Sequence, residues 1–179
     1  FSLIFPEFRY AHRLNKLDIL FKNKIDKINT SLMLSLLLID DSNNHEYFSH
    51  KYKISNEIKE KLSLMARSYK DYKTDKNYLK SNLTKNIYLI GKDNIQRLII
   101  FLFLESEKMT EQNFLSYSQN IKDVVIPKFP FNGTYLLSVG ITEGKKIGLA
   151  LKELEKKWLE NEFSLSNENL RKILKSLKN

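Results

Sequence analysis

The 179-residue chain contains no cysteine, which excludes disulfides and thiolate-held metals and is compatible with an intracellular home. Glycine, proline and tryptophan are scarce, at five, three and one. Leu, Lys, Ile, Glu and Asn abound instead, a balance that favours helix over sheet. Long hydrophobic runs are missing as well. The longest, Leu32 to Ile39 (broken by Ser35) and Leu98 to Leu104, fall far short of the ~18 to 20 residues needed to span a bilayer. No basic segment and cleavage site follow Phe1, so no signal peptide is read. The expected location is the cytoplasm, with no membrane partner. No period-2 apolar run is long enough for a strand, and no repeat recurs at a spacing of ~20 to 50 residues, which argues against sheets and solenoids.

Recognisable catalytic apparatus is also absent. His45 and His50 flank Glu46, but they stand five apart and diverge on a helix, so both read as surface residues. Asp40-Asp41 runs into Ser42-Asn43-Asn44, which is turn chemistry. A nucleotidyl-transfer site needs two carboxylates one residue apart beside a glycine-rich phosphate loop, and the sequence has neither. No G-x-S-x-G, Walker loop or Cys–His pair occurs. No catalytic residue and no metal ligand is assigned.

What the sequence does contain is a succession of amphipathic helical patterns. The expected fold is all-α: an irregular multi-helix bundle with a body over residues 1–126 and a tail over 127–179, the tail carrying a glycine-punctuated helix–turn–helix. Leu14, Leu17, Leu20 and Phe21 share one helical face, and Thr30 or Ser31 is expected to cap the apolar helix that follows. Ile54-Ser55-Asn56-Glu57 reads as staple residue, N-cap and acidic first turn. A further helix is expected from about Asp75 to Ile90, stopped by Gly91, then a core helix from Asn94 to Glu105. Thr110 should cap the next, with Phe114, Leu115, Ile121 and Val125 apolar, before Pro127 and Pro130 force an extended link.

The formal charge of +9 and pI near 9.5 favour an anionic partner. Residues 51–92 hold eleven basic groups against four acidic ones. Lys59, Arg67 and Lys70 lie off the apolar stripe there and are candidates for phosphate contacts, with Tyr69, Tyr72 and Tyr78 available for stacking. The alternative is a solvated lysine face. The stretch from Ile126 to Phe163 carries four of the five glycines and the only tryptophan. Gly133 to Val139 reads as a short helix with Leu136 and Leu137 inward, ended by Gly140 in the left-handed C′ position. Ile141 should plug back into the core. Thr142-Glu143-Gly144 then opens a helix whose first amides, beside Lys145 and Lys146, suit a phosphate. Gly148 would allow a helix or a ligand backbone to approach closely. Leu154 and Trp158 read as packing anchors. The alternative for Gly140 and Gly144 is a tight helical hairpin and nothing more.

From Pro130 to Phe163 the chain reads P-F-x-G-x-x-L-L-x-x-G-I-x-x-G-x-x-I-G-x-x-L-x-x-L-x-x-x-W-x-x-x-x-F. This pattern resembles the C-terminal end of bacterial tRNA nucleotidyltransferases, the CCA-adding enzymes of the poly(A) polymerase family. Phe5-Pro6-Glu7, Ile54-Ser55-Asn56-Glu57 and Tyr88-Leu89-Ile90-Gly91 extend the likeness in weaker form. The resemblance implies a helical body and tail that grip tRNA or another structured RNA from its backbone side. Chemistry with Mg2+ and CTP or ATP would belong to a catalytic head, in the same polypeptide or separately encoded, because the G-G-x-V-R-D loop and D-x-D carboxylates are not in this sequence. The chain is then inactive alone. Tyr135, Thr142-Glu143 and Lys145 depart from the family's usual Asp and prolines. A second reading, from another class, is a structural or protein-interaction module left by a split or degraded gene, marked by exposed apolar surface near residues 1–21.

Overall fold

The computed structural model describes residues 4–22, 28–141 and 144–178, which are helical with no strand among them. The chain divides into two compact units, Phe1–Val124 and Val125–Asn179.

The first unit opens with a 3-10 helix, Ala11–Lys16, running into α1, Leu17–Lys22. Next come α2 (Thr30–Leu38), α3 (Asn44–Lys51), α4 (Asn56–Thr74), α5 (Leu83–Ile90), α6 (Lys92–Glu105) and α7 (Glu111–Asp123). The centre is α6, which packs against α2, α4, α5, α7 and the 3-10 helix. Every residue from Leu98 to Leu104 is buried, as a helix surrounded on all sides requires. Each such side chain contributes roughly 1.5–3 kcal/mol by leaving water.

Local signals account for most boundaries. The Ser55 hydroxyl accepts the Ile58 amide at 3.4 Å, and Thr110 Oγ1 accepts the Asn113 amide at 3.2 Å, so both expected caps form. Asp40 Oδ1 accepts the amide and hydroxyl of Ser42 at 2.7 and 2.6 Å, the turn read from sequence. Four expectations are corrected. Asn29, not Thr30 or Ser31, caps α2, accepting the Leu32 amide at 3.0 Å. The helix expected from Asp75 shrinks to Leu83–Ile90 because Asp75 holds turns instead, accepting from the Asn77 amide and Asn82 Nδ2 at 2.8 Å each. Phe21 is 58% exposed, Leu115 41% and Val125 85%, so none joins the apolar face assigned to it. His45 is buried whereas His50 is exposed, since α3 presents only one of them to the core.

One cation lies at the meeting point of these helices. Arg13 is 3% exposed, and its Nη1 donates to the carbonyls of Leu36 at 3.0 Å and Ile39 at 2.7 Å, capping the C-terminus of α2. Nη2 lies 3.8 Å from Glu105 Oε1, the oxygen that also accepts from Tyr69 Oη at 2.9 Å. The guanidinium sits 4.1 Å from the Tyr10 ring centre and 5.0 Å from that of Phe101. Burial lowers its pKa, and the Glu105 carboxylate opposes that shift. The N-terminal segment is held separately, by Phe5, Phe8, Phe48 and Tyr52 in mutual ring contact and by Lys51 Nζ donating to Glu7 Oε1 at 2.7 Å.

Arg13→Met should cost about 3 kcal/mol in urea unfolding of the first unit, since two carbonyls lose their donor and a carboxylate its counter-ion. Arg13→Lys should not restore it, because an ammonium cannot span both carbonyls while lying flat on an aromatic ring. The buried imidazole makes a second expectation. His45 Nδ1 has no hydrogen-bond partner among the described residues, and burial holds the ring's pKa below 6.5 against the opposing charges of Glu46 and Asp40. The unfolded chain therefore binds the proton better. Stability is full above pH 6.5 and falls below it until the folded-state pKa is passed. Thermal melts of His45→Leu between pH 7 and 5 should show a flatter acid dependence than the parent chain.

Candidate nucleic-acid interface

On α4 the residues Leu62, Met65 and Tyr69 are buried, which turns the opposite side of the helix to solvent. At ~100° per residue, Lys59, Ser63, Arg67, Lys70 and Thr74 fall within an arc of about 80° on that side. Lys59, Arg67 and Lys70 are exposed, and none forms an ion pair among the described residues. The first and last stand about 16 Å apart along the axis, from a rise of ~1.5 Å per residue. Exposed Glu60 and Asp71 border the stripe.

The tyrosines of this region are not the exposed platforms expected. Tyr69 and Tyr78 are core residues, and burial raises the pKa of each phenol. Tyr72 alone is half-buried, held edge-on to Tyr78 with ring centres 6.5 Å apart.

In the second unit α8 (Gly133–Ser138) and α9 (Gly144–Glu160) form the hairpin, followed by α10 (Asn167–Lys178). Asn132 starts α8 by accepting the Tyr135 amide at 2.9 Å. The helix ends in a Schellman turn: the Gly140 amide donates to the Leu137 carbonyl and the Ile141 amide to that of Leu136, both at 3.0 Å. Gly140 has φ +89°, a conformation costly for a residue with a Cβ. Ile141 turns inward to pack with Leu136, Ala150, Leu154 and Ile173, as its place after Gly140 predicts. Leu137 does not point inward; it is 50% exposed. Trp158 meets Phe129 and Phe163 edge-on, at 5.4 and 4.9 Å between ring centres.

Gly144 is the first residue of α9, and the preceding Thr142 and Glu143 lie outside the described residues. Lys145 is exposed and Lys146 half-buried. The buried side of α9 is set by Ala150, Leu154 and Trp158. Its outer side carries Lys145, Leu149, Lys152 and Lys156, all exposed, at spacings of three and four. Sequence reasoning stopped at Lys146; continuing the helical phase from Lys145 would have reached Lys152 and Lys156. Gly148 lies beside this row and is also exposed. A Cβ built there meets no heavy atom within 4 Å, so no helix approaches it among the described residues.

Among the described residues no three His, Asp or Glu side chains converge as metal ligands, and no helix is long and apolar enough to cross a membrane. The chemistry available is that of ammonium groups on two helices and the Arg67 guanidinium on α4, all suited to phosphate oxygens. A solvent-facing glycine inside a helix is destabilising, so Gly148→Ala should raise stability by roughly 0.5–1 kcal/mol in thermal melts. If the same variant binds RNA less well, a ligand backbone is what approaches position 148. No family model, curated protein or solved structure matches the chain, so the interface rests on its own residues and geometry.

Proposed function

We propose that the chain binds the phosphate backbone of tRNA or another structured RNA, as the body and tail of a tRNA nucleotidyltransferase would, and that it has no nucleotidyl-transfer activity alone. Catalysis with Mg2+ and CTP or ATP belongs in this reading to a head region outside these residues. The observation that carries it is the row of exposed cations on α4, Lys59, Arg67 and Lys70, without ion pairs among the described residues. Cations that serve only solubility are commonly laced with i,i+4 acidic partners, as Lys61 is with Glu57 and Lys172 with Glu168. On α9 the exposed row adds Lys145 and Lys152, whereas Lys156 pairs with Glu160 four residues on, 4.0 Å away. Lysine dominance suits backbone contact, because an ammonium is a point charge without the planar fork used to read bases.

A protein-interaction module is the second reading. It is favoured by Ile4, 73% exposed, and Phe21, 58% exposed, within the segment where apolar surface was expected. A separately encoded head is the partner it would suit.

Binding to folded tRNA should weaken linearly with log salt concentration. The K59E/R67E/K70E triple variant should lower affinity at low salt and flatten the log–log slope by roughly 0.9 for each phosphate that is no longer neutralised. An unchanged slope and affinity would sink the assignment of α4. No tRNA binding by the parent chain, with concentration-dependent association in the same sedimentation runs, would favour the interaction module.

A further inference from the structure

Between α4, α6 and α7 lies an open cleft of about 270 Å³. That is just under the ~300–1,000 Å³ typical of sites for drug-sized ligands, so it has room for a single ring system. A second cavity, lined in part by Ser31, Ser35, Ser68 and Asn94, holds only about 10 Å³, at most one water.

The lining of the larger cleft is specific. Tyr72 comes from α4 and Tyr117 from α7, so planar aromatic surface is supplied by two elements. Both are half-buried, and burial raises the Tyr72 phenol's pKa, which keeps it neutral at physiological pH. At the cleft edge Glu105 is held in place: Oε1 accepts from Tyr69 and faces Arg13. Oε2 has no partner among the described residues, and the side chain is 27% exposed. With its charge already balanced by Arg13, this carboxylate serves as a hydrogen-bond acceptor. Asn113 adds an amide, and it lines the cleft from the first turn of α7. Lys73 is occupied by Asp41, whose two oxygens accept from Nζ at 2.7 Å each. Lys108 is exposed and has no ion pair among the described residues.

This set selects a ligand class. A small inorganic anion would meet Glu105 and leave the tyrosine faces bare. A metal ion would find a single carboxylate already neutralised. A flat ring with an N–H donor edge and an external negative group satisfies all three features. We propose that the cleft binds one unstacked nucleotide whose base carries an exocyclic amine, the amine donating to Glu105, the ring lying against Tyr72 and Tyr117, and the phosphate meeting Lys108. The nucleotide is either free or extruded from an RNA strand. The second case rests on the RNA-binding reading above; the first does not.

The test titrates the full chain with CMP and UMP, with rC8 and rU8, and with a folded tRNA, by calorimetry, and repeats all five with Tyr117→Leu after circular dichroism has verified its fold. Cytosine ligands should bind at least about tenfold more tightly than uracil ligands, the worth of about one hydrogen bond to a charged acceptor. Tyr117→Leu should weaken them about tenfold through reduced stacking, leaving folded tRNA unaffected. If Tyr117→Leu fails to fold, Asn113→Ala and Lys108→Gln at exposed positions carry the same comparison. CMP binding without tRNA binding would uphold the cleft for a free nucleotide and overturn the RNA reading. Binding of rC8 but not CMP would assign the cleft to a strand. Equal affinity for cytosine and uracil ligands, or no response to the substitutions while tRNA still binds, would overturn the cleft alone. No binding of any ligand would overturn both.

Discussion

The first unit depends on a guanidinium taken almost wholly out of water. Desolvating such a charge is unfavourable by several kcal/mol, and that penalty is offset only where partners surround it. For Arg13 they come from four places: the end of α2, the end of α6, and the rings of Tyr10 and Phe101. The α2 carbonyls are among those left without a partner at a helix C-terminus, where the dipole is negative. A single residue of a short 3-10 helix thereby fixes the ends of two core helices relative to each other. Its Nε has no hydrogen-bond partner among the described residues. Nη1 is hydrogen-bonded, Nη2 faces the Glu105 carboxylate and aromatic rings cover the guanidinium plane, so the site is not a complete hydrogen-bond cage.

That constraint reaches the cleft. Glu105 ends α6, and its carboxylate is held by Arg13 from the core and by Tyr69 from α4. Tyr69 in turn lies edge-on to Phe101, 5.0 Å between ring centres. A carboxylate on a helix end would otherwise sample several rotamers. Held this way it presents a defined acceptor, which is the preorganisation that a small binding site requires. The tail solves a different problem with backbone alone. Its Schellman turn gives partners to the Leu136 and Leu137 carbonyls and swings Ile141 into the core.

Much of this was legible in the chain. Helix starts at Ser55 and Thr110 were visible because a hydroxyl three residues before an amide is a local signal. Gly140 was legible for the same reason: a left-handed C′ position excludes most other residues. The outward placement of Lys59, Arg67 and Lys70 followed from period alone. Where several residues could serve, the reading slipped. Asn29, Thr30 and Ser31 all cap well, and Asp75 can either start a helix or hold a turn, so surroundings decided between them.

Composition and periodicity by themselves determined the all-α class, the helix succession and the cationic outer faces, because these depend on interactions within a few residues. Tertiary structure alone decided that Arg13 is buried, that Tyr78 belongs to the core, and that Glu105 meets Tyr72, Asn113 and Tyr117 around one cleft. Those groups are brought together by packing between helices far apart in the chain. Local pattern carries no record of which polar side chain will be enclosed by such packing and which will be left at its edge.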